Sequence, residues 1–204
     1  MINYDKYTEL LQWHLGVELF DYNPTIDWAI HMMGKGIETE NMLILASFSK
    51  PVDREEIKPY VSGVLKDLGL DEKIGEYSIV SNCYYHIQQI IDEYEKRKNL
   101  SSLFIIHLEN NYPVYTSPFY LLHHGWSDLE SEGFNYYYDG ATLDNIEIVV
   151  NLEAQIFIAK YVDQNESKTN DLEAKLNAIT NKRVQTKSTF WSKLVDRVKG
   201  NNAM

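Results

Sequence analysis

The stretch FYLLHHGWSDLESEGFNYYYDG, residues 119–140, gathers side chains that could do chemistry: His123 and His124, Trp126, the acids Asp128, Glu130, Glu132 and Asp139, and three consecutive tyrosines, Tyr136, Tyr137 and Tyr138. Such a set suits a metal site, an acid–base site or a surface that another protein grips. Adjacent histidines on a helix point about 100° apart, so His123 and His124 cannot easily share one ion. His124 and Asp128 are four residues apart and share a helix face, as do His14 and Glu18. Two such pairs meeting in space would make a four-ligand metal site, and a metal-dependent enzyme built on them is one alternative reading of this chain, an adaptor or chaperone being the other. No HExxH or Cys–His metal spacing stands behind it.

Acid–base and nucleophilic chemistry find no marked residues. Carboxylates and histidines are plentiful, but nothing in their spacing singles out a pair. GKGIET, residues 34–39, lacks the Walker spacing and follows a helical pattern, so it reads as a turn. No nucleophile elbow occurs, and Cys83, within SNCYYHI, falls on an apolar helix face and reads as core. The expectation is a non-enzymatic chain that needs no cofactor and no metal.

The binding reading carries more. Tyrosine and tryptophan are enriched at interfaces because each supplies large rigid area with a polar end. Trp126, Tyr136, Tyr137 and Tyr138 sit among Asp128, Glu130, Glu132 and Asp139, and these eight are the expected partner-binding residues. The competing reading places Trp126 and two of the tyrosines in the core. Charge favours a surface. Between Lys98 and Lys160 lie 61 residues without Lys or Arg, holding 8 acids and 11 of the 26 aromatics. Charge of one sign steers a partner of the opposite sign, so the expected partner is a protein with a basic surface. The same charge repels phosphate backbones and argues against nucleic-acid binding.

These residues need a scaffold, and helical spacing recurs through most of the chain. Tyr4, Tyr7, Leu10, Leu11, Leu15 and Leu19 predict a helix over 4–20, and Pro24 suits the first turn of a second helix ending at the GKG glycines. Thr39 and Asp53 read as N-caps of the next two helices, with Gly69 as the stop of the second and Pro59 as a kink or later start within it. A long helix is expected over 75–98, closing in the solvated run EYEKRK. LFIIHL, 103–108, suits either a strand or a helix, and helix is preferred. Phe119, Leu122, Trp126 and Leu129 then mark a helix ended by Gly133, and Ile146, Val149, Val150, Ala154, Phe157, Ile158 and Tyr161 form the strongest stripe of the second half. No sustained two-residue alternation appears. The expected fold is mainly α, an antiparallel, repeat-like bundle of helical hairpins with a C-terminal amphipathic helix.

Charge divides the chain. Residues 1–164 carry 26 acids against 11 Lys/Arg, and residues 165–204 carry 4 against 8. The expected organisation is an acidic helical domain over 1–163, then a polar linker or helix extension and a basic amphipathic tail over 164–204. In the tail, Phe190, Trp191, Leu194, Val195 and Val198 share one face. A single cysteine excludes an internal disulfide and suits a reducing, cytoplasmic setting. No secretory signal pattern is present, and no apolar run is long enough for stable membrane insertion.

Residues 24–70, from PTIDWAIHMMGKGIETENMLILASFSKP through REEIKPYVSGVLKDLGL, resemble helical-hairpin segments in small acidic proteins of bacterial toxin–immunity loci. The shared features are a Trp-led helix, a turn of glycine, acid and threonine, the LILA helix and a helix ending in LGL. The resemblance covers under a quarter of the chain and transfers no functional residue. It implies a cytoplasmic protein that neutralises a toxin by binding it, and the acidic aromatic surface would suit a basic, nuclease-like toxin domain.

Overall fold

The computed structural model describes residues 4–75 and 77–181. Within them the chain is helical and contains no strand. The helices are α1 (Tyr4–Leu11), α2 (Asn23–Gly34), α3 (Glu40–Ser47), α4 (Arg54–Asp67), α5 (Tyr77–Ile91), α6 (Lys96–Glu109), α7 (Ser117–Glu132), α8 (Ile146–Phe157) and α9 (166–181). Short 3-10 turns at His14–Gly16 and Val114–Thr116 precede α2 and α7, and α8 runs into a π turn at Ile158–Val162. Successive helices pack on one another from α2 to α4 and from α5 to α8. The central α5 also packs on α1 and α8, which joins both series around one core. No helix among the described residues is long and apolar enough to cross a membrane.

Local signals account for many boundaries. Thr39 Oγ1 accepts from Met42 N at 3.1 Å, and Asp53 Oδ1 accepts from Glu55 N and Glu56 N, satisfying otherwise orphaned donors. Gly69 and Gly133 end α4 and α7 with φ of +68° and +79°, where a Cβ would be strained. Residues 103–108 lie within α6, as their helical spacing suggested. Cys83 is buried in the core, and burial pushes its thiol far above the ordinary range.

Three expected boundaries are corrected. The helix predicted over 4–20 ends at Leu11, because the next segment turns back onto α5. There Gly16 lies so close to α5 that a Cβ would sit 1.9 Å from Ser78 Oγ. Of the two roles expected for Pro59, the later start is excluded, since α4 begins at Arg54 and runs through Pro59 to Asp67. The helix predicted over 75–98 is two helices, α5 and α6, joined by a turn in which Glu93 and Glu95 have positive φ. Asn151 on α8 fixes that turn from outside, donating to Glu93 Oε1 at 2.8 Å and to the Ile90 carbonyl at 3.3 Å. EYEKRK is therefore not a helix end but the turn and start of the next helix, with Glu93, Tyr94, Glu95 and Lys98 solvated. Lys96 starts α6 with its side chain only 10% exposed, paired with Glu93 and with Glu147.

After Asp163 the polar segment is neither a linker nor an extension of α8: the helix breaks at 163–165, with Gln164 at φ +52°, and α9 starts as a separate helix. Thr169, Leu172 and Leu176 of α9 are buried, so packing joins 166–181 to the body rather than leaving it a linker. The amphipathic helix expected in the tail lies outside the described residues.

Candidate binding surface

The eight expected partner-binding residues separate by environment. Trp126 is 8% exposed and belongs to the core, with the Arg97 guanidinium over its ring at 5.1 Å. Glu130 accepts from Arg97 Nη2 at 3.1 Å, and Ser127 Oγ accepts from the same nitrogen at 2.9 Å. The acidic face of α7 is thus not free of cations in space, because the start of α6 delivers Arg97 to it. Tyr138 is half-buried and donates its hydroxyl to the Glu153 carboxylate on α8. Burial, the largest influence, raises the Glu153 carboxyl above its ordinary range, although the Tyr138 bond opposes it. These three residues hold the body together. Tyr136 and Tyr137 remain 83% and 42% exposed, and Asp128, Glu132 and Asp139 make no ion pair among the described residues.

Tyr137 ends a ladder of rings that only the fold assembles. On α6, Phe104 stacks on His123 at 4.3 Å and on Tyr120 at 5.7 Å, both from α7. Tyr120 also meets His107 at 5.0 Å and His124 at 4.8 Å, and His107 meets Tyr112 at 5.4 Å. His124 in turn stacks on Tyr137 at 4.9 Å, carrying the ladder onto the loop after α7. Beside it on α6, Ile105 and Leu108 are 49% and 37% exposed. Burial lowers His123 and His107 below the ordinary histidine value, so both rings are neutral near pH 7; His123 is partly exposed, while His107 is buried and supports the ladder from beneath.

The loop bearing the tyrosines is organised by two asparagines. Asn135 Oδ1 accepts from Tyr137 N and Tyr138 N, while its Nδ2 donates to the Ala141 carbonyl at 2.9 Å. Gly125 permits this, since a Cβ there would lie 3.1 Å from Asn135 Oδ1. Asn145 then donates to the Gly140 carbonyl and accepts from Thr142 N, leading the chain into α8.

The metal reading loses its geometry. His14 lies in a 3-10 turn, fully buried, and Glu18 is exposed in the following turn, so the two do not share a helix face. His14 Nδ1 is instead 2.9 Å from the Tyr22 hydroxyl, and Nε2 is 3.0 Å from Glu72 Oε1. Burial holds the ring below its ordinary value against the pull of Glu72, so neutral His14 donates from Nε2 and accepts from Tyr22. His124 and Asp128 do share α7, but His124 is packed among Phe104, Tyr120 and Tyr137. Among the described residues no three or more His, Cys, Asp or Glu side chains converge to hold a metal ion.

A third constellation went unnoticed in the sequence. His86, Asp21, Tyr85, Tyr94, Lys50 and Lys98 line a cleft of about 500 Å³. Asn99 Nδ2 donates to the Tyr94 and Glu95 carbonyls, which turns its Oδ1 towards His86 Nδ1 at 2.9 Å. His86 Nε2 lies 3.3 Å from Asp21 Oδ2. Burial would raise Asp21, but hydrogen bonds from His86 and Asn23 outweigh it and hold the carboxyl below its ordinary range. A general base needs a nitrogen free to meet substrate. Both His86 nitrogens are engaged, so this group ties α5 to α6 and to the turn before α2.

Sequence reasoning missed the partly exposed rings Phe104 and Tyr120, and His107 buried beneath them. One signal was present: α6 carries Leu103, Phe104, Ile105, Ile106 and Leu108 in six positions, too many for one core-facing stripe. Comparison with protein-family models, curated proteins and solved structures finds no match.

Proposed function

We propose that this chain is a non-enzymatic binding protein of the immunity type, which neutralises a basic toxin domain in the cytoplasm by covering it. The observation that carries the reading is the ring ladder of α6 and α7, flanked by exposed Ile105 and Leu108 and edged by the acids Asp128, Glu132 and Asp139, which have no ion-pair partner among the described residues. Rigid aromatic anchors with an apolar margin supply affinity, and a rim of one charge supplies encounter rate and partner choice. The resemblance of residues 24–70 to immunity-locus proteins supports the toxin as partner class, and the acidic rim supports its basic character.

Co-expression with the product of the neighbouring gene tests the proposal. A complex that survives size-exclusion chromatography, and is lost on Ile105→Glu with Leu108→Glu, is the expected outcome. Both side chains are substantially exposed, so these variants should fold normally. No complex in low or moderate salt, or one indifferent to these two changes, would sink the reading.

A further inference from the structure

Where the ladder ends, the same loop forms one wall of a cleft of about 460 Å³. Tyr136, Tyr137, Tyr138 and Asp139 line that wall, and Asn177, Thr180 and Asn181 of α9 line the opposite one. The two walls meet at Gly140, where φ is +77° and a Cβ would lie 2.3 Å from the Thr180 carbonyl oxygen. Glycine is required there for α9 to approach, and the approach makes the cleft.

We propose that this cleft receives a basic side chain of the partner protein, arginine in preference to lysine. The inference rests on the binding reading above and names the group of the partner that this part of the surface grips. Asp139 supplies a carboxylate with no cation paired to it among the described residues. The tyrosines supply aromatic faces, and Tyr137 is held in place by its stack on His124. Thr180 donates its hydroxyl to the Leu176 carbonyl, which leaves the oxygen free to accept, and the Asn177 and Asn181 amides add further acceptors. A guanidinium has five donors and no acceptor, is planar, and stacks on aromatic rings, so it matches this lining. The more heavily hydrated lysine ammonium gains less from stacking. Among the described residues no lysine or arginine lines the cleft, so nothing there would offset the repulsion of a phosphate or carboxylate ligand by Asp139.

The test uses the full chain, with N-acetyl-arginine amide as probe and the neutral citrulline analogue as control, followed by amide chemical shifts. Expected are saturable shifts confined to residues 136–140 and 177–181, stronger for arginine than for citrulline and weakened by salt. Asp139→Asn should weaken binding by about fivefold and Asp139→Glu should restore it. Equal response to citrulline, shifts elsewhere, or no saturable response would overturn the proposal. Tighter probe binding by Lys182→Gln with Arg183→Gln would mean that the chain's own basic residues fill the cleft, which also overturns it. A partner complex lost with Ile105→Glu and Leu108→Glu but unaffected by Asp139→Asn would remove the arginine site and leave the binding reading standing. Arginine binding without any partner complex would do the reverse.

Discussion

Truncating Trp126 to alanine should destabilise the protein by about 3–5 kcal/mol. The indole is 8% exposed in the core between α6, α7 and their neighbours. An indole buries up to about 250 Å², and at about 25 cal/mol per Å² the transfer is worth at most about 6 kcal/mol. Partial collapse of the site and a compact unfolded chain bring the expected loss below that bound. The Arg97 guanidinium over the ring adds about 0.5–1 kcal/mol. For a chain of this size each kcal/mol moves Tm by about 2–4 °C, so a fall of about 6–20 °C is expected in a circular-dichroism melt. The urea midpoint should fall with an unchanged slope. Arg97→Met is the control. Arg97 Nη1 is buried with no hydrogen-bond partner among the described residues, so losing the contacts with Glu130 and Trp126 should cost only about 1 kcal/mol. A Trp126→Ala loss under about 1 kcal/mol would refute the core assignment and return this ring to the binding surface.

Three further outcomes follow from the same packing. Asp128→Lys and Glu132→Lys should each change stability by less than about 0.5 kcal/mol, whereas Glu130→Lys sets a second cation beside Arg97 and should cost about 1 kcal/mol more; equal melts for all three would refute the Arg97–Glu130 pair. Stability should fall in acid: unfolded His14 takes up a proton below about pH 6.5 while the folded ring resists it, and the contributions of Asp21 and Glu72, both held below their ordinary range, vanish as pH falls through their folded values. Urea midpoints across about pH 3–8 check this, and His14→Gln should flatten the slope just below pH 6.5. Gly16→Ala should cost about 1–3 kcal/mol, because its Cβ would lie 1.9 Å from Ser78 Oγ and 2.7 Å from Ser78 Cβ. A neutral melt would mean that the turn after α1 yields freely.

Local chemistry was legible in the chain itself. Helical spacing announced the fold class, Thr39 and Asp53 announced helix starts, and Gly69 and Gly133 announced ends, because caps and left-handed stops act within a few residues. The aromatic and acidic character of residues 119–140 was legible too, and two of the three tyrosines are indeed exposed. Whether a given ring faced solvent was not, since burial depends on which helix arrives opposite. Trp126 and Tyr138 became internal through Arg97 and Glu153, one 29 residues before and the other 15 after (126 − 97; 153 − 138). The break between α5 and α6 has no glycine or proline to announce it, because Asn151 on α8 holds that turn from across the bundle. The ring ladder joins residues from Phe104 to Tyr137 across two helices and a loop. Periodicity assigns a side chain to a face of its own helix, whereas only the packing of one helix on another decides what that face meets.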